Sequence, residues 1–287
     1  MKLLVEPSGK NINYLSFCDG LILPLKDFSV QSKIYFSKEE IKEIIINNPT
    51  LEIFITINKN FLNEDIDQLK EALLYLDKLD IKGIFFYDIA VLQLKKELNL
   101  KVDLVWNQTH MVNNYETCNY YYKKGVNYAL LGKEITLEEI KEIIKNSSIT
   151  PMVEVISIPS VAFSKRKLIT NYYKFLGKTP TSELKAKEKV SNQEYLLLED
   201  SNGTSFFLNE IMNGTSIIKE LFEMNTPYIV LREWAIDQKL FEEIVKDTYY
   251  YVKKDCIDEE YIEKYRQLGT TNFFFKKTIY RVKNNEK

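Results

Sequence analysis

Apolar runs of strand length recur along this chain, and most are followed by a segment whose apolar residues return at helical spacing. That alternation is the strongest constraint on its fold. Strands are read at 2–6, 20–25, 51–57, 82–87, 102–106, 127–131, 151–157 and 228–232. Runs such as Ile53-Phe54-Ile55-Thr56-Ile57 and Ile84-Phe85-Phe86-Tyr87 suit strands buried on both faces, as in a parallel sheet covered by helices. The intervening helices carry start signals. Ser37 with Glu40 and Thr136 with Glu139 have capping-box spacing, and Asn63-Glu64-Asp65 opens a third helix with acids suited to the helix dipole. Behind them follow Ile41, Ile44 and Ile45, then Leu137, Ile140, Ile143 and Ile144, and Ile66, Leu69, Leu73 and Leu76.

About eight such units predict a TIM-type (β/α)8 barrel filling residues 1–287 as a single domain. An open doubly wound sheet is the rival, but no Gly-rich phosphate turn accompanies it. The order breaks once, at 179–214, read as an insertion after strand seven. Two apolar runs flank Ser201-Asn202-Gly203 there and predict a β-hairpin. The tail, Phe273 to Val282, reads as one more strand-like piece.

Composition narrows the chemistry. A net charge of −2 gives no global attraction to nucleic acid or anionic membrane, so any such contact must be local. No apolar stretch approaches the roughly 20 residues of a membrane span, and Glu6 and Pro7 interrupt any leader-like core at the start. A soluble, cytoplasmic protein is expected. Cys18, Cys118 and Cys256 are scattered without C-x-x-C spacing and read as buried thiols, although a three-cysteine cluster assembled in space stays open. With His110 as the one histidine, a His-rich metal site is excluded, and a Ser-His-Asp triad would have to pass through it. No metal site is expected.

In a barrel, chemistry belongs at the C-terminal ends of the strands. Glu6, Lys26, Asn58, Asp88, Asn107, Gln108, Glu134 and Arg232 fall there, with Arg166 just beyond strand seven. Asp88 and Glu134 read either as paired carboxylates or as caps of the next helices. Together, Asp88, Asn107, Glu134, Arg166 and Arg232 are the catalytic candidates. The segment from Ser164 to Lys178 interleaves five cations with three aromatics and has no acid. Lys165, Arg166, Lys167 and Lys174 suit phosphates, and a ring suits a base, so Asn58, Lys165, Lys167, Asn171, Tyr172 and Lys174 are the RNA or substrate candidates. If the segment is helical, Tyr172 and Tyr173 point apart, with Tyr172 toward the site and Tyr173 into packing. A solvated helix with its aromatics turned inward is the alternative.

Three segments resemble the collagenase-like peptidase family, the U-32 peptidases. They are Ile55-Thr-Ile-Asn58 through Asp88-Ile-Ala-Val-Leu; Trp106-Asn107 through Cys118-Asn119-Tyr120 to Glu134-Ile-Thr-Leu-Glu-Glu-Ile; and Ser164 to Tyr172 followed by Glu199-Asp200-x-Asn202-Gly203-Thr204. The chain is similar to the shorter bacterial members concerned with 5-hydroxyuridine synthesis in tRNA. The resemblance implies a barrel, a tRNA substrate and a longer, cysteine-bearing relative as partner in a heteromeric complex. The departures from its motifs are specific. The family's His-Gly after strand seven is Ile156-Ser157, its next Cys is Ser160, and Ser-Gly-Arg-Cys reads Ser164-Lys165-Arg166-Lys167. Lys-Ile-Glu-Gly-Arg at strand eight reads Val230-Leu231-Arg232-Glu233-Trp234. Lysine for a ligating cysteine implies no iron–sulfur cluster of the family's type and no cofactor. Three readings follow: a subunit or accessory protein of tRNA wobble-uridine 5-hydroxylation with an eroded site (a pseudoenzyme), an RNA-modifying enzyme with a rebuilt site, and, least supported, a protease.

Overall fold

The computed structural model describes residues 1–108, 111–233, 236–253 and 259–275. Barrel strands form where the apolar runs lie: β1 (Lys2–Glu6), β2 (Gly20–Pro24), β3 (Glu52–Ile57), β4 (Gly83–Phe86), β5 (Asp103–Trp106), β6 (Tyr128–Leu130), β7 (Thr150–Ser157) and, later in the chain, β13 (Tyr228–Arg232). Each pairs in parallel with its neighbour; β7 pairs with β13 and β13 with β1, so the sheet closes. This is the expected TIM-type (β/α)8 barrel.

Successive side chains of a strand face opposite sides, and one buried cluster takes a residue from every barrel strand: Leu4, Ile22, Phe54, Phe85, Val105, Tyr128, Met152 and Val230 among them. A cluster drawn from all eight strands is the barrel interior. Phe54 lies edge-on to Phe85, Tyr128 and Tyr228 with centroids 5.7–6.1 Å apart, which fills the lumen without a pore. The other face of the strands packs under α1 (Lys38–Asn47), α2 (Ile66–Leu76), α3 (Ile89–Glu97), α4 (Tyr115–Lys123) and α5 (Leu137–Asn146). Both capping boxes form: Ser37 Oγ accepts from Glu40 N at 3.2 Å while Glu40 Oε2 accepts from Ser37 N, and Thr136 and Glu139 do the same.

The β1–β2 connection departs from the repeat, carrying a single 3-10 turn, Leu15–Phe17, in place of a helix. Pro7, Gly9 and the residues Ser8, Asn11, Asn13 and Ser16 oppose helix formation. The gap is covered by the helix that follows β13, whose Phe241 ring sits edge-on to Tyr14 at 5.7 Å.

Between β7 and β13 the chain leaves the barrel. A four-stranded antiparallel sheet in the order β8-β11-β10-β9 is built from β8 (Ser160–Ser164), β9 (Glu183–Lys187), β10 (Glu194–Asp200) and β11 (Gly203–Leu208), with α6 (Leu168–Phe175) between its first two strands. The chain then returns as β12 (Met212–Asn213) along the end of β7. The expected hairpin is present, with Asp200 opposite Gly203. Gly203 has φ +141°, and a Cβ there would meet Ser164 O at 2.1 Å, so both conformation and close approach demand glycine. Its two outer strands escape the apolar pattern because they bury little: β8 has no fully buried residue, and β9 alternates half-buried Leu184 and Ala186 with exposed Glu183, Lys185 and Lys187.

The tail expected as strand-like differs where it is described. Asn272–Phe275 forms a short helix, and Phe274 packs its ring over Gly214, where a Cβ would lie 2.8 Å from it. That packing outweighs the β propensity of three consecutive phenylalanines. The remainder of that segment, His110 and Cys256 lie outside the described residues.

Candidate functional site at the barrel mouth

The two-residue period that places Leu4, Phe85, Val105, Met152 and Val230 in the lumen places Glu6, Tyr87, Asn107, Glu154 and Arg232 one step further on, at the C-terminal rim. Asn58 extends the same face of β3, and Lys133 reaches in from the loop after β6. Six of these side chains line a cavity of about 40 Å³: Asn58, Tyr87, Asn107, Lys133, Glu154 and Arg232. Gln31 closes one side, and Ile158, Ser160 and Phe207, from the chain that leaves β7 and from β11, form its roof. A cavity of that volume holds a few waters and falls well short of the roughly 150 Å³ that takes a benzene-sized ring, so it has no room for a nucleobase.

The floor is a buried ion network. Arg232 lies between two carboxylates, with Nη1 2.8 Å from Glu6 Oε2 and Nε 2.8 Å from Glu154 Oε2. Lys133 Nζ approaches the other oxygen of Glu154 at 2.5 Å. Two acids and two bases cancel, which is the condition for keeping four charges out of water. Burial pushes Glu6 upward, and the Glu154 charge adds to it against the pull of Arg232. Burial acts on Glu154 in the same sense, but two cations, Arg232 and Lys133, outweigh it and hold the carboxyl below its ordinary range. Burial also lowers Lys133, opposed by Glu154, whereas the two carboxylates hold Arg232 above its ordinary value despite its burial. The two acids are therefore pushed in opposite directions, Glu154 toward its carboxylate and Glu6 toward its protonated form. Above it, Asn107 is 6% exposed, and its Oδ1 has no hydrogen-bond partner among the described residues, leaving an acceptor at the cavity.

Among the catalytic candidates, Asn107 and Arg232 share this cavity, joined by Asn58, whose amide clasps Val30 through Oδ1 at 2.8 Å and Nδ2 at 3.0 Å. Asp88 does not line it. Its Oδ1 accepts from Ala90 N at 2.9 Å as the cap of α3, and its Oδ2 accepts from Phe61 N at 3.0 Å. Glu134 is exposed beside Lys133, so the two carboxylates do not form a pair at the cavity. Gln108 braces the rim, donating to Tyr87 O at 2.6 Å and accepting from Trp106 Nε1 at 3.1 Å. Arg166, Lys165, Lys167, Asn171, Tyr172 and Lys174 are exposed on and before α6, outside the cavity. Tyr172 points to solvent and Tyr173 is half-buried.

Sequence reasoning missed Lys133, Glu154, Tyr87 and Gln31. Glu154 had a signal, a lone charge inside the apolar run Met152 to Ile156, which must find a partner if that run is a buried strand. Lys133 and Tyr87 each stand one residue before an acid that drew the attention instead.

The sequence model of peptidase family U32 matches residues 15–231. A tRNA hydroxylation protein P2 of Bacillus subtilis (strain 168) is 30% identical over 271 residues, which span 85% of this chain and 87% of that protein. An uncharacterized protease of Methanocaldococcus jannaschii is 25% identical over 131 residues, 45% of this chain and 31% of the longer relative. Among solved structures, the Paenibacillus chitinase ChiW aligns over 88% of this chain and 32% of its own, with a TM-score of 0.45 and 12% identity. Likeness of that degree carries no functional information.

Proposed function

The chain belongs to peptidase family U32, and from that premise we propose that it serves tRNA wobble-uridine 5-hydroxylation as a subunit or accessory protein of a longer, cysteine-bearing relative. The observation that carries this reading is the match to the Bacillus subtilis tRNA hydroxylation protein along most of both chains. The mouth of the barrel supports the accessory role. Arg232 and Lys133 are spent on Glu154 and Glu6, and the cavity they floor is too small for a base. Ser160 and Lys167 stand where family members carry cysteines. Ser160 takes a hydrogen bond from Gln31 and Lys167 is exposed at the start of α6, so these donors do not fit an iron–sulfur cluster and no step is assigned through one.

Peptide hydrolysis has less support, because it needs an activated nucleophile or a metal-bound water. Burial pushes the Cys18 and Cys118 thiols up to about 12 each, away from thiolate chemistry. Among the described residues no group of three or more His, Cys, Asp or Glu side chains is placed to hold a metal ion. A rebuilt RNA-modifying enzyme is the second reading, favoured by the Asn107 Oδ1 at the cavity, which no described residue satisfies.

Deleting the gene in its host and measuring hydroxylated uridine in tRNA by mass spectrometry tests the proposal. The expected result is loss of the modified nucleoside, its return on complementation, and co-purification of the cysteine-bearing relative; unchanged tRNA overturns the reading. Complementation with Asn107→Ala separates the two roles. An accessory subunit keeps supporting hydroxylation, whereas a rebuilt enzyme loses it while still binding its partner.

A further inference from the structure

The segment from Ser164 to Lys178, with its five cations and no acid, is anchored at one end and faces outward. Glu199 on β10 accepts the first amides of α6, from Ile169 N at 2.8 Å and Thr170 N at 3.2 Å, while Thr204 Oγ1 takes Leu168 N at 2.9 Å. Ile169 is buried beneath the helix at 1% exposure. At about 100° per residue, Asn171, Tyr172, Lys174 and Phe175 then occupy an outward arc of about 160°. Gly177, at φ +64°, ends the helix and leaves Lys178 exposed beside it. Phe175 is 87% exposed, and Tyr172 and Leu176 are exposed next to it. Exposed apolar residues scattered singly need no explanation, but here two aromatic rings stand among cations on one face.

We propose that this face of α6 is a docking surface for unpaired RNA, with Tyr172 and Phe175 stacking on bases while Arg166, Lys167, Lys174 and Lys178 pair with phosphates. Charge complementarity selects a polyanion, and the rings select one whose flat apolar faces are free. A duplex hides those faces in its stack, and an acidic polypeptide has none to offer. The surface adjoins the barrel mouth, because Lys165 Nζ donates to Asn60 O at 3.2 Å in the loop that Asn58 begins. The inference rests on the tRNA reading above for its biological substrate, but its chemistry is independent of it.

Fluorescence anisotropy with the full-length protein tests it, using a short labelled oligouridine and a duplex RNA of equal length at two salt concentrations. Tyr172→Ala/Phe175→Ala is expected to weaken oligouridine binding by about tenfold or more with the salt dependence unchanged. Lys174→Ala/Lys178→Ala is expected to reduce the slope of log affinity against log salt by about 1.4, roughly 0.7 for each phosphate contact on a single strand. All four side chains are exposed, so circular dichroism of both variants should match wild type. Wild-type affinity in the ring variant, tighter binding of the duplex, or competition by polyglutamate as strong as by polyuridine would each overturn the proposal, the last in favour of a protein partner. If gene deletion leaves tRNA hydroxylation intact while the ring variant loses oligouridine, the tRNA reading falls and the docking surface stands. Loss of hydroxylation on deletion with no effect of the ring variant on binding sinks the docking surface alone.

Discussion

Among the described residues Arg232 is the one cation in contact with both Glu6 and Glu154, and its removal would leave two buried carboxylates with Lys133 as their nearest described cation. Breaking a buried ion pair from one side costs about 3–5 kcal/mol, so Arg232→Met should lower the unfolding free energy measured by urea titration by that amount. The exposed Arg166→Met should change stability by no more than about 0.5 kcal/mol. Glu154 carries a pH signature. Its folded-state pKa lies below the ordinary carboxylate value of 4.5 because Arg232 and Lys133 outweigh its burial. The stabilisation this confers is therefore fully present above that value and lost as pH falls through the folded-state pKa. Glu154→Gln should be less stable than wild type at neutral pH, and the gap should narrow below about pH 4.5 in denaturant titrations run across pH. A gap that stays constant into acid would show that the ionised form of Glu154 contributes nothing.

At the scale of elements, one residue of register separates a site from a cap. Tyr87 lines the cavity while Asp88 caps α3, and Lys133 reaches inward while Glu134 faces solvent. Asp88→Ala should accordingly cost about 1 kcal/mol of stability, read as a lower thermal midpoint, and Asp88→Asn should recover part of it, because an amide oxygen still accepts from Ala90 N while Phe61 N loses its acceptor. Full stability in Asp88→Ala would remove the capping assignment. The capping boxes at Ser37 and Thr136 and the Asn202-Gly203 turn were legible because their partners lie within three residues. Glu199 was not, since the helix it caps is brought to it by the folding of a sheet whose outer strands show no apolar pattern.

For the whole molecule, the barrel and its excursion differ in what holds them. The lumen and the helix-covered face together bury residues from every barrel strand, whereas the excursion sheet gathers its buried apolar cluster around Ile158, Leu196 and Phe207. It is tied to the barrel by polar contacts, Tyr35 OH to Asp200 Oδ2 at 2.6 Å and Asn202 Nδ2 to Ser29 O at 3.3 Å. Regions with few buried apolar contacts open at lower free energy. Hydrogen exchange should therefore release the amides of β9 and β10 well before those of β1 to β3, and simultaneous exchange would mean that the two unfold as one unit.

The sequence by itself determined where the barrel strands lie, their alternation with helices, three helix starts and the acid-free basic segment, because each is written in local spacing: strand-length apolar runs, period 3.6, a cap and its partner, a run of like charge. Tertiary structure alone decided the site. Glu6, Glu154 and Arg232 stand far apart in the chain and meet because β13 enters between β7 and β1 to close the sheet. The roof over them comes from the segment after β7 and from β11, folded back across the mouth. Spacing shows that a buried charge needs a partner; only closure of the barrel brings that partner within reach.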